Sequence, residues 1–312
     1  MKRILVTGAG GQIGSWLVPR LREVYGSSAV LATDLRQPPA DALEAGPFRV
    51  LDATDGSAVG EAVASHRADT VYHLAAILSA VGERDPLRAW KINMDSLEAV
   101  LEVARERGCA VFTPSSIAAF GAGVPDPAPQ DTIMRPSTIY GISKVAGELL
   151  CDYYHRRWGV DTRGVRFPGL ISYGSPPGGG TTDWAVDIFY QAVEKGSYTC
   201  FLGADSQLDM MYMPDAVDAL LQVMEADASR LVHRNAFNVT AMQLSPAVLA
   251  DEIRKHLPNF TIAYDIDPVR QAIANSWPDR IDDSAARAEW GWSPSFDMAS
   301  MTADMLQHVR EG

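Results

Sequence analysis

Two rhythms of apolar and polar positions run through the first half of the chain. Short apolar runs, too brief for helices, alternate with longer stretches in which apolar residues return every three or four positions. The runs read as buried strands and the stretches as amphipathic helices. Strands are predicted over residues 3–6, 30–33, 48–51, 70–74, 110–115 and 161–167. Helices are predicted over 13–24, 56–66, 87–106 and 137–158. This alternation predicts an α/β fold, a doubly wound parallel sheet with helices on both faces.

Beyond Phe167 the rhythm changes. Residues 174–180 are rich in Gly, Pro and Ser and read as a loop with special backbone demands. A helix over 183–195, a strand over 198–202 and a helix over 214–226 follow, then a tail broken at Pro258. Residues 1–167 are expected to form the cofactor domain and 168–312 mainly a smaller C-terminal substrate-binding lobe. Part of 205–240 is expected to return to the first unit, so the two interleave.

Charge narrows the partners. Among 312 residues, 27 basic side chains face 39 acidic ones, a net charge of -12. Neither nucleic acid nor an anionic membrane surface is attracted by such a field. The apolar run Ile4-Leu5-Val6 stops at Thr7-Gly8, and no run reaches the roughly 18 apolar residues of a membrane helix. Cys109, Cys151 and Cys200 are too scattered for a disulfide framework, and a soluble cytoplasmic protein is expected. The histidines are dispersed, so no metal is expected.

Gly8-Ala-Gly-Gly11-Gln12-Ile13-Gly14 falls at the turn from the first strand into the first helix. Glycine there permits the tight turn, the approach of backbone to a pyrophosphate and close packing of helix on strand. Asp34, with Leu35 beside it, follows Gly14 by twenty residues at the end of the second strand. A carboxylate at that place accepts ribose hydroxyls and repels a 2′-phosphate, which selects NAD over NADP; nearby Arg36 works the other way. Asp52-Ala53 and Leu74-Ala75-Ala76 end the third and fourth strands, where ligands bind in such sheets. His73 reads as a buried, hydrogen-bonded residue rather than a base.

Tyr140-Gly-Ile-Ser-Lys144 carries the chemistry. Residues i and i+4 share one helical face, so phenol and ammonium can enter one site. A free tyrosine titrates near 10, and a nearby ammonium and an oxidised nicotinamide both stabilise the phenolate and pull that value down. A phenolate so made can take an alcohol proton while a hydride leaves to the cofactor.

Together Gly8–Gly14, Asn93, Ser115-Ser116 and Tyr140-x-x-x-Lys144 resemble the extended short-chain dehydrogenase/reductase superfamily over essentially the whole chain. The resemblance implies a Rossmann domain, Tyr140 as base, Lys144 as its electrostatic partner and ribose ligand, and Ser116 as the hydroxyl that holds the substrate oxygen. Asn93 would support the site through water or backbone contacts, and Phe167 and Pro168 count among the cofactor contacts. The segments 166–173, 177–183, 210–213 and 276–284 are similar to one branch, the short-chain L-threonine 3-dehydrogenases. That likeness implies NAD-dependent oxidation of L-threonine to 2-amino-3-oxobutyrate without zinc. Ser79, Ser115, Ser116, Tyr140, Thr181, Thr182 and Trp277 are then the substrate residues. Arg135 could pair with the substrate carboxylate or equally anchor its own loop, and residues 178–180 fit a mobile loop that closes on ligand. Met210, Met211 and Met213 read as core.

The alternative enzyme is a nucleotide-sugar 4-epimerase or dehydratase with the same tyrosine, lysine and NAD. Against it, residues 169–208 offer a diphosphate only Lys195, and Ile117-Ala118 lacks the acidic pair usual in dehydratases. A dinucleotide-sensing regulator is the non-enzyme alternative, disfavoured by the intact Tyr140 and Lys144. The two long helices, 87–106 and 137–158, resemble those that pair across a homodimer in this superfamily.

Overall fold

The computed structural model describes residues 1–37, 45–174 and 180–311. Most of the glycine-rich loop, residues 175–179, therefore lies outside the described residues. The strands in chain order begin with β1 (Ile4–Thr7), β2 (Val30–Asp34), β3 (Phe48–Val50), β4 (Thr70–His73) and β5 (Ala110–Phe112). Next come β6 (Ser115–Ser116), β7 (Thr162–Arg163), β8 (Val165–Phe167), β9 (Gly169–Ile171) and β10 (Ser197–Cys200). The last are β11 (Leu208–Tyr212), β12 (Phe237–Asn238), β13 (Met242–Leu244) and β14 (Thr261–Tyr264).

The main sheet has six strands in the order β3-β2-β1-β4-β5-β7, all parallel. Ile4 is opposite Val30 on one side and Thr70 on the other, so the chain reverses its direction of travel across the sheet at β1 and β4. Residues of β1 are buried throughout, as strands covered by helices on both faces must be. This is a Rossmann-like α/β fold, as the alternation of runs predicts.

Two predicted strands are each divided. The run 110–115 stops at Phe112 because Pro114 has no N–H to give the ladder, and Ser115–Ser116 resumes in another sheet, β12-β8-β6. The run 161–167 breaks at Gly164, where a Cβ would lie 2.5 Å from the Thr113 carbonyl oxygen. Val165–Phe167 then runs parallel to Ser115–Ser116. A third sheet, β13-β11-β9, and the pair β10-β14 build the rest.

Three large apolar cores follow. One face of the main sheet packs Val6 and Leu17 against Leu220 of the helix Met213–Glu225, with Phe237 and Trp292. The opposite face packs Leu5, Val59, Val63, Leu97 and Leu101. The third gathers Trp184, Phe189, Tyr212, Leu249 and Met305. A strap late in the chain crosses back: Ile281 bridges Ala128, and its N–H donates to the buried Asp209 carboxyl at 2.6 Å. Among the described residues no helix is long and apolar enough to cross a membrane.

Candidate active site

The long helices Pro86–Arg107 and Ile139–Trp158 lie side by side against the sheet. Asp85 caps the first, accepting the Arg88 N–H at 3.2 Å, and Thr138 caps the second, accepting the Gly141 N–H at 3.1 Å. A Cβ on Gly141 would overlap the Ala118 carbonyl oxygen. The first turn of the second helix therefore rests directly on the turn Ile117–Ala119, which Ser116 caps through a 3.2 Å bond from the Ala118 N–H. Tyr140, on that first turn, is thereby brought into the same cleft as Ser116.

Lys144 follows one turn on. Its Nζ lies 5.3 Å from the centre of the Tyr140 ring and donates to the Pro114 carbonyl at 2.7 Å. Burial disfavours the charged form of each group. It pushes the Tyr140 phenol up to about 12, partly opposed by Ser116, and the Lys144 ammonium down to about 8. The lowering of Tyr140 anticipated from the sequence is thus not present in the chain by itself. Desolvation raises the phenol, and the Lys144 ammonium is engaged by the Pro114 carbonyl.

Asn93 brackets Ile77, accepting its N–H at 2.7 Å and donating to its carbonyl at 3.1 Å, and also donates to Ser143 at 3.3 Å. It ties the segment after β4, held by its backbone, to the Ser143 hydroxyl on the helix Ile139–Trp158. His73 is held between the Thr7 hydroxyl at 2.9 Å and the Ser96 hydroxyl at 3.3 Å, and burial drives its pKa down to about 3. Ser115 donates its hydroxyl to Glu148. That buried carboxylate pairs with Arg166 at 2.8 Å, and Arg166 reaches Asn238 at 3.0 Å.

Two clefts share Leu74 and Ala76 as walls. One, about 160 Å³, is lined by Ser116, Tyr140 and Lys144 together with Gln12, Ile13, Phe167 and Pro168. Ser79, Ser115, Thr181, Thr182 and Trp277 line the same space. The Thr181 side chain is almost wholly buried, with no partner for its Oγ1 among the described residues. Gln12 also donates to Ser172 at 3.2 Å, joining the glycine loop to the lobe. Arg135 is exposed and is not among the lining residues.

The second cleft, about 300 Å³, is lined by Gly8, Gly11, Asp34, Leu35, Asp52 and Ala53, with Leu74, Ala75 and Ala76 opposite. The glycines are required here. A Cβ at Gly8 would lie 2.7 Å from the Ala75 nitrogen, and one at Gly14 would lie 2.5 Å from the Gly8 carbonyl oxygen. Asp34 accepts the Gly10 N–H at 2.9 Å, which sets its carboxylate at the rim. A dinucleotide fits this arrangement, backbone against pyrophosphate and carboxylate toward ribose. Sequence reasoning missed Thr54, Ile77, Arg88 and Ile92 in this cleft, and Asp183 in the other. The four-residue spacing of Arg88, Ile92 and Ser96 was the available signal for one helical face. Among the described residues no three His, Cys, Asp or Glu side chains gather as a metal ion requires.

Known proteins share this arrangement. A Staphylococcus haemolyticus protein, an uncharacterized epimerase/dehydratase, is 53% identical over 313 residues, covering 100% of this chain and 98% of its own. The structure of the L-threonine dehydrogenase of Clostridium difficile superposes with a TM-score of 0.98 at 53% identity, over 100% of this chain and 98% of that one. The GalE-like L-threonine dehydrogenase of Cupriavidus necator, in its holo form, gives 0.96 at 50% identity over 98% and 99% of the two chains. Residues 4–240 match the family model described as the NAD dependent epimerase/dehydratase family. The chain therefore belongs to the NAD dependent epimerase/dehydratase family, an enzyme whose cofactor is NAD.

Proposed function

We propose that this enzyme oxidises the β-hydroxyl of L-threonine to 2-amino-3-oxobutyrate. The likeness to solved L-threonine dehydrogenases along the whole chain carries the reading. The gathering of Thr181, Thr182 and Trp277 around Ser116, Tyr140 and Lys144 in one cleft supports it.

Gly8, Gly11, Gln12, Ile13 and Gly14 would hold the pyrophosphate side of NAD, and Asp34 with Leu35 its adenosine ribose. Asp52, Ala53, Leu74, Ala75 and Ala76 would line the adenosine end, with Phe167 and Pro168 at the reacting end. When bound, NAD supplies the hydride acceptor. Tyr140 takes the proton from the substrate hydroxyl. Ser116 holds that oxygen and stabilises its developing charge. Lys144 places a positive charge beside the phenol, and Asn93 keeps the walls of the site together. Thr181, Thr182, Ser79 and Trp277 would receive the rest of the substrate.

By this reading residues 1–167 with part of 205–240 serve the cofactor, and 168–312 mainly the substrate. Exposed Trp90, Ile142, Leu149 and Tyr153 on the two long helices suit a homodimer. The free, buried cysteines suit the cytoplasm. The test is NADH absorbance with purified protein, NAD, L-threonine, L-serine, L-allo-threonine and simple alcohols. NADH formed with L-threonine well above the others is expected. Silence across that panel, with NAD retained through purification, would favour a nucleotide-sugar epimerase instead.

A further inference from the structure

The cofactor cleft has an unbalanced charge. Among the described residues around it are two carboxylates, Asp34 and Asp52, with Arg36 next to the first, while Arg88 is the cation on the facing helix. The ligand brings two more negative charges on its pyrophosphate. A helix N-terminus supplies only about half a positive charge against them.

Arg88 occupies the first turn of the helix Pro86–Arg107, where a cation opposes the helix dipole. Helix stability therefore gives no reason for it. Among the described residues no hydrogen bond or ion pair engages its guanidinium. Its backbone is nonetheless fixed, since the N–H donates to the Asp85 cap at 3.2 Å. Arg88, Ile92 and Ser96 follow one another at four-residue spacing, so they form one stripe along the cleft. Ser96 is buried at the floor against His73, Ile92 is half-buried, and Arg88 is exposed at the mouth. A long side chain with an unengaged charge thus lines the same cleft as Gly8 and Gly11, where the diphosphate is expected.

We propose that Arg88 is a cofactor-binding residue that pairs with the adenosine-side phosphate of NAD. The proposal rests on NAD as cofactor and not on the identity of the substrate.

The test is binding by the full chain without any substrate, read as NADH fluorescence with ADP and nicotinamide mononucleotide as competitors. Arg88→Ala should weaken NADH and ADP about tenfold, the loss expected of one charge-assisted contact. Nicotinamide mononucleotide, which lacks the adenosine half, should bind within about twofold of the parent protein. Arg88→Lys should recover most of the loss, and Arg88→Met, which keeps a stem without the charge, should not. ADP affinity unchanged in Arg88→Ala, or restored in Arg88→Met, would overturn the proposal. So would an equal loss for nicotinamide mononucleotide. Because no turnover is read, a failure of the threonine assay leaves this outcome unaffected.

Discussion

Tyr140 holds its proton more tightly than a free phenol does, with a pKa near 12, while Lys144 beside it is loosened to about 8. The proton must leave Tyr140 before it can serve as base, so kcat/KM should climb as pH rises through the neutral range. A flat profile between about pH 6 and about pH 9 would remove the phenol from that role. Tyr140→Phe should cut turnover at least about a hundredfold while the Kd for NAD stays within about twofold. Appreciable residual rate would point to another base. Asp34→Ala should erode the preference for NAD over NADP, and an unchanged ratio of the two kcat/KM values would take Asp34 off the ribose. These residues were legible because their spacing is local: four residues join Tyr140 to Lys144, and twenty join Gly14 to Asp34. Glu148 was not, since its partners Ser115 and Arg166 come from different strands and meet it only in the folded chain. Arg88 was hidden for another reason: at a helix start it looks like any solvated cation.

Single residues also decide where elements start and stop. Pro114 and Gly164 turn two predicted strands into four pieces. Apolar runs mark where strands lie but not which sheet receives them, so the hand-over from β5 to β6 could not be read from the pattern. The short strands β12 and β13 were missed in the same way, being two or three residues long and without a period to count. Gly141 shows how tightly such pieces meet. Gly141→Ala should lift the catalytic helix from the Ser116 turn, costing about 1–3 kcal/mol of stability. It should lower Tm and kcat together, and parental values of both would show that the contact yields freely. Asp209 on β11 makes the strap pH-sensitive. Burial pushes its carboxyl from 3.8 up to about 7, so its contribution to stability is complete below about 4 and lost as pH rises through about 7. Tm should therefore fall with pH across that window more steeply than in Asp209→Asn. Parallel curves would mean that this carboxyl does not titrate there.

Over the whole molecule, the doubly wound sheet was readable because its strands alternate with long helices. The third core was less so, since it draws Trp184, Leu249 and Met305 from helices far apart in sequence. The buried pair of Glu148 and Arg166 joins the catalytic helix to β8, and through Asn238 to β12. Glu148→Leu should leave a buried guanidinium without its counter-charge and cost about 3–5 kcal/mol, measured by urea unfolding. The double variant with Arg166→Met should recover much of that loss.

The composition of the first core also bears on how the chain is made. Residues of β1 and β2 leave the ribosome first, but the face of their sheet is completed by the helix Met213–Glu225, Phe237 and finally Trp292. Domains finish as units during synthesis only when all their parts are present. Here the first sheet must wait, with apolar surface uncovered, until Trp292 has been translated. A premature stop anywhere before Trp292 would release that sheet unclosed, and slow elongation would prolong its exposure.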